Sequence, residues 1–127
     1  MILDTNAVSS LLSGDKRIGE VLPRADGHHL PLTVIGEYQF GLLGLESRRR
    51  SRLQSLFRRL EAGSTVLYPD RATADWYASI RFELKRRGNP IPENDVWIAA
   101  LSRQHGLDII SQDPHFDAVD GIRRIGW

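Results

Sequence analysis

The chain has 127 residues, which suits one domain and leaves little room for a second. It is 41% hydrophobic and 26% charged, the make-up of a folded globular protein and not of a disordered one. No cysteine is present, so disulfides and thiolate metal sites are excluded, and the formal net charge of +1 at pH 7 marks neither a strongly acidic nor a strongly basic chain.

No apolar run approaches the roughly 20 residues that cross a bilayer, so no membrane association is expected. Met1-Ile2-Leu3-Asp4 lacks the basic and long apolar regions of a signal peptide. The expected compartment is the cytoplasm, whose reducing conditions suit a chain without cysteine.

Taken in order, Ile2-Leu3 predicts a very short strand ending at Asp4, followed by a helix over 6–12. Gly14-Asp15 breaks it, and a second short helix is expected over 15–22 before Pro23. His28-His29-Leu30 reads as the next strand. Thr33 is the expected N-cap of a helix carrying Glu37, Tyr38, Phe40 and Leu42 towards Gly44. From Ser47 to Ala62, Leu53, Leu56, Phe57 and Leu60 recur at helical steps, with arginines opposite and Gly63 as the stop.

Thr65-Val66-Leu67-Tyr68 predicts a strand closed by Pro69. Asp70 then caps a long helix whose Ala72, Trp76, Ile80 and Leu84 are expected to share a buried face up to Gly88. Asn89-Pro90-Ile91-Pro92 interrupts it, and Asn94 or its neighbour opens a helix so apolar all round that it should be buried. Residues 107–111 form a predicted strand, and 122–125 a predicted edge strand. Strands alternating with helices give a three-layer α/β/α sandwich with a central parallel sheet.

Ligands of such sheets bind beyond the carboxyl ends of the strands. Four acids fall there: Asp4 after the first strand, Glu37 after the second, Asp95 at the start of the buried helix, and Asp113 after the strand containing Ile110. Singly, Asp4, Asp95 and Asp113 also suit turns or helix starts. Glu37, in an otherwise apolar helix, does not. Crowded carboxylates repel one another and are tolerated when a cation neutralises them. All-oxygen ligation selects Mg²⁺ or Mn²⁺, ions that activate water and stabilise charge in phosphodiester hydrolysis. Arg48, Arg49, Arg50, Arg52, Arg58 and Arg59, with Arg81, Lys85, Arg86 and Arg87, read singly as solvated helix faces; as clusters beside the acids they also suit a polyanionic ligand, but on their own they decide nothing.

Four segments resemble the motifs of VapC-type PIN domains. They are Leu3-Asp4-Thr5-Asn6-Ala7-Val8, then Thr33-Val34-Ile35-Gly36-Glu37, then Asn94-Asp95-Val96-Trp97-Ile98-Ala99-Ala100, then Ile110-Ser111-Gln112-Asp113 with Phe116. They occur in order across almost the whole chain. The resemblance implies a metal-dependent ribonuclease and toxin, a homodimer whose partner is a VapB-type antitoxin with a tail in the active-site groove. It implies Asp4 and Asp95 as direct metal ligands, Glu37 as a ligand directly or through water, and Asp113 completing the pocket. Asp117 competes with Asp113 for that last role. Thr5, Asn6 and Ser111 would orient the carboxylates or water. Serine at 111, where the family more often has threonine, keeps the hydroxyl.

A dehalogenase-like phosphatase needs a second aspartate two residues after the first, and Asn6 stands there. A PIN-like module that binds RNA or protein without cutting is the alternative reading, but such modules usually lose acids that this chain keeps. Choice of RNA over DNA comes from the resemblance alone. His28 and His29 sit in a strand away from the acids and are not expected to act as a general base. His105, near a helix end, and His115, near Asp113, are candidates for which a surface role is favoured, and Trp76 and Trp97 are expected to lie in the core. The apolar faces around Leu42, Leu53 and Phe57, beside arginines, predict a groove for an amphipathic, partly acidic segment.

Overall fold

The computed structural model describes residues 1–22 and 27–127. Two short strands, β1 (Ile2–Leu3) and β4 (Ile109–Ile110), form the centre of a five-stranded sheet and are fully buried. Their residues are branched or bulky apolar side chains with no polar face, as expected of strands covered on both sides. β2 (His28–Pro31), β3 (Ser64–Leu67) and β5 (Arg124–Ile125) complete it. The order is β3-β2-β1-β4-β5 and every pairing is parallel. The chain winds outwards from β1 through β2 to β3, then returns to lay β4 and β5 on the other side. β1 and β4 therefore flank the point where the winding reverses, and a crevice opens beyond their carboxyl ends.

The helices are α1 (Thr5–Leu12), α2 (Ile18–Val21), α3 (Leu32–Leu43), α4 (Ser47–Ala62), α5 (Arg71–Arg86) and α6 (Glu93–His105), with a 3₁₀ turn at Pro114–Ala118. α1 packs with α2, α3 and α4, whereas α5 packs along α6, and the two groups meet where α3 approaches α6. This is the expected α/β/α arrangement. In α6, Val96, Ile98, Ala99, Ala100 and Leu101 are all buried, which accounts for a helix apolar nearly all round. Gly106, at φ 64, ends it in the left-handed conformation that glycine adopts without strain.

Several local expectations are corrected. Residues 15–17 are not helical: the Asp15 carboxylate accepts the Arg17 backbone N–H at 3.0 Å and pairs with its guanidinium, so only Ile18–Val21 remains helical. Pro23 lies outside the described residues. Thr33 caps nothing. Pro31, with φ −59, occupies the cap position, α3 starts at Leu32, and the Thr33 hydroxyl is buried without a hydrogen-bond partner among the described residues. Tyr68 falls outside β3 and is exposed.

In α5 the buried stripe is Thr73, Ile80 and Leu84, with Tyr77 half-buried. Ala72 and Trp76 face outwards. The reason is the cap. Asp70 and Thr73 form a reciprocal capping box, and the Thr73 hydroxyl donates to Gln104 of α6 at 2.5 Å, which turns the Thr73 side of the helix inwards. Trp97 is half-buried and stacks on Tyr77, with ring centroids 4.2 Å apart. Phe40 is exposed, while Phe57 is buried against Tyr38.

Candidate active site

Asp4 leaves β1 and caps α1, its Oδ1 accepting the Thr5 backbone N–H at 2.7 Å. Its other oxygen accepts from the Ser111 hydroxyl at 2.7 Å and the Asn6 amide at 2.9 Å. Ser111 follows β4, so this cluster ties together the two strands at the winding reversal. Asn6 strengthens the tie, since its Oδ1 accepts the Gln112 backbone N–H at 3.1 Å. Asp4 is 4% exposed, and burial pushes its carboxyl above the ordinary value despite these donors.

Glu37 reaches the same cleft from α3. It is not the unpaired carboxylate that an apolar helix suggests: the Thr5 hydroxyl donates to one oxygen and the Asn94 amide to the other, each at 2.5 Å. Asp95 sits in the first turn of α6, where the helix dipole favours an acid. Burial outweighs that help, and the Asp95 carboxyl is pushed up to about 6. Asp113 caps the 3₁₀ turn by accepting the His115 backbone N–H at 2.9 Å. Asp4, Glu37, Asp95 and Asp113 all line one cleft of about 730 Å³.

Asp113 lines the cleft and Asp117 does not, because Arg124 on β5 pairs with Asp117. Its guanidinium holds Asp117 at 2.8 Å, which keeps that carboxyl below its ordinary value and turns it from the cleft. Two further residues lie at the site, Asn94, which had no expected role there, and His115, for which the surface was favoured. Asn94 positions Glu37, and no spacing rule marks an amide for that task. His115 lies among the acids, its Nδ1 being 3.0 Å from Asp95 Oδ2 and 2.9 Å from Asp113 Oδ1. Its place two residues after an acid was visible in the sequence, but the approach of α6 to the 3₁₀ turn was not. His28 and His29 stay in β2 away from the acids, as expected.

The donor set consists of carboxylate oxygens and one imidazole, which fits a divalent cation. Asp95, Asp113 and His115 each offer a donor atom, all within 4.8 Å of one another. Beside the acids runs a second groove of about 580 Å³, sharing Thr5, Ser9, Ser10 and Glu37 with the first. Tyr38, Leu42, Leu45 and Leu53 line it together with Arg49 and Arg52.

Residues 1–122 match the PIN domain family. Ribonuclease VapC5 of Mycobacterium tuberculosis is 28% identical over 129 residues, covering 98% of this chain and 90% of that protein. Ribonuclease VapC4 of the same organism is 31% identical over 98 residues, covering 74% and 72%. The solved structure of VapBC-5, a member of the VapBC family of toxin-antitoxin systems from that bacterium, aligns with a TM-score of 0.77 at 25% identity. That alignment covers 98% of this chain and 94% of the other. A cleft built where β1 and β4 end is thus carried by a chain that belongs to the PIN-domain family, in its VapC branch.

Proposed function

We propose that this chain is a single PIN domain over residues 1–127 that hydrolyses RNA phosphodiester bonds with Mg²⁺ or Mn²⁺, as the toxin of a VapBC-type pair. The observation that carries the reading is the convergence of Asp4, Glu37, Asp95 and Asp113 on one cleft from four separate elements. The VapC relatives are named ribonucleases, which supports RNA as the substrate.

Asp4 and Asp95 would hold the cation directly, Glu37 directly or through water, and Asp113 would close the pocket. When bound, the ion would relieve carboxylate repulsion, activate the attacking water and stabilise charge building on the scissile phosphate. The chain's own groups do the positioning. Ser111, Asn6 and the Thr5 N–H immobilise Asp4, while the Thr5 hydroxyl and Asn94 fix both oxygens of Glu37. Acids held in this way need little reorganisation when substrate arrives.

The arginines of α4 support a polyanionic substrate. Among the described residues, Arg48, Arg49, Arg50, Arg52, Arg58 and Arg59 pair with no carboxylate, whereas Arg17, Arg71, Arg103 and Arg124 do. Unpaired like charges three and four residues apart cost roughly 0.2–0.5 kcal/mol per pair, a cost that an anionic ligand removes. The second groove, apolar with Arg49 and Arg52 on it, suits an amphipathic acidic segment of an antitoxin, and the VapBC-5 complex supports such a partner. Phe40, 79% exposed, and Leu43, 66% exposed, support a homodimer formed through α3. Among the described residues no helix is long and apolar enough to cross a membrane, and the cytoplasm is the compartment that supplies both RNA and antitoxin.

The test is cleavage of RNA by the purified protein. Mg²⁺ or Mn²⁺ should support it, excess chelator should stop it, and Ca²⁺ should substitute poorly because its looser geometry places water badly. Asp4→Asn and Asp95→Asn should fold but not cut. Cleavage at the wild-type rate in excess chelator, or by either folded variant, would refute the reading.

A further inference from the structure

We infer that His115 is a nitrogen ligand to the catalytic cation and biases this site towards Mn²⁺ over Mg²⁺. The inference rests on the metal-dependent reading above and extends it to a residue outside the acidic quartet.

The observation is one ring nitrogen set against two carboxylate oxygens that come from separate elements. His115 Nδ1 lies 3.0 Å from Asp95 Oδ2 and 2.9 Å from Asp113 Oδ1. The ring N–H is aligned on Asp95, and Asp113 Oδ1 accepts the His115 backbone N–H, so the Nδ1–Asp113 approach is a close contact and not a hydrogen bond. The tautomer without a proton on Nδ1 would set three lone-pair donors face to face. A shared cation in place of the ring proton would bind all three atoms at once. The spacing agrees with that occupant. An octahedral ion with bonds of about 2.1 Å places neighbouring ligands about 3 Å apart, and the three donor atoms lie within 4.8 Å of one another.

The side chains are also delivered by different elements: Asp95 by α6, Asp113 by the loop after β4, and His115 by the 3₁₀ turn. The Asp113 carboxylate caps the His115 backbone N–H, so the two ligands are locked to each other before any ion arrives. The His115 side chain is 44% exposed, so an ion reaches it from solvent without unfolding the turn. An imidazole nitrogen binds Mn²⁺ better than Mg²⁺, which prefers oxygen and gives up water reluctantly.

The test uses Mn²⁺ bound to the whole purified chain and three-pulse electron spin-echo spectroscopy, which detects a directly bonded ¹⁴N nucleus. Wild type should show nitrogen modulation, and ¹⁵N-histidine labelling should change its frequencies. His115→Gln, which keeps a polar side chain of similar reach, should lose the modulation. Its affinity for Mn²⁺ relative to Mg²⁺ should fall about tenfold in competition titrations, the scale expected for losing a metal-site residue. Mn²⁺ binding without nitrogen modulation in wild type, or modulation that persists in His115→Gln, overturns the inference. That outcome leaves the ribonuclease reading standing, because Asp95→Asn cleavage assays judge it separately. Failure to bind Mn²⁺ at all, with cleavage unaffected by chelator, overturns both.

Discussion

Replacing Asp95 by asparagine removes one charge and almost no volume, so its effect on stability isolates the electrostatic cost of the acid cluster. Burial raises the Asp95 carboxyl from its ordinary 3.8 to about 6. Between those values the folded protein holds a proton that the unfolded chain has released. Stability contributed by the neutral carboxyl is therefore present at low pH and lost as pH rises through about 6. Each pH unit of separation is worth about 1.4 kcal/mol, so ionised Asp95 costs the metal-free fold at most about 3 kcal/mol at pH 7. Its side chain is 13% exposed, so water screens only part of that cost. His115 stands beside it, and some of that contact is lost with the charge. Asp95→Asn is accordingly expected to stabilise the chelated protein by about 1–2 kcal/mol at pH 7 and by much less near pH 4. Saturating Mg²⁺ reverses the order, since an ion at a hundred times its dissociation constant adds about 2.7 kcal/mol to the form that binds it. Denaturant unfolding of both proteins at pH 4 and pH 7, with chelator and with Mg²⁺, measures all four terms. A variant less stable than wild type in chelator at pH 7 would show that Asp95 serves as a helix-terminal anchor and not as a member of a repelling cage.

Asp113→Asn should cripple RNA cleavage while Asp117→Asn leaves it near wild type, because Arg124 already holds Asp117 outside the cleft; equal losses would contradict that division. Thr5→Val removes the hydroxyl that fixes Glu37 and should lower kcat about tenfold or more with KM little changed, so steady-state kinetics showing a pure KM effect would argue against a positioning role. Ile98→Ala hollows a fully buried site on α6 and should cost about 2–5 kcal/mol, read as a lowered Tm, whereas a loss under 1 kcal/mol would mean the core around α6 collapses to fill the space. Arg49→Ala with Arg52→Ala should weaken RNA binding and flatten its salt dependence without altering the metal affinity of the acid cluster, and an unchanged salt slope would remove these two arginines from the RNA path.

The alternation of short apolar runs with helical periods was enough to specify a parallel α/β sheet, because period and punctuation are local properties of the chain. The four acids were legible for a related reason: Asp4 and Asp113 follow strands, Asp95 opens a helix, Glu37 lies in the second turn of the helix after β2, and in a parallel sheet those ends gather on one edge. What the sequence did not determine was which way individual side chains face once helices meet. Trp76 reads as core by spacing, yet the Asp70–Thr73 capping box and the Thr73–Gln104 contact rotate α5 so that it faces outwards. Thr33 reads as a cap, yet Pro31 with its fixed φ turns the chain into α3 before Thr33 is reached. Asp113 and Asp117 are equivalent as letters, and only β5, pairing beside β4, brings Arg124 to bind one and leave the other in the cleft. Asn94 lies 57 positions from Glu37, and His115 lies 20 from Asp95. Such contacts depend on how α6 is laid against α3 and the 3₁₀ turn, a long-range packing outcome that local pattern does not encode.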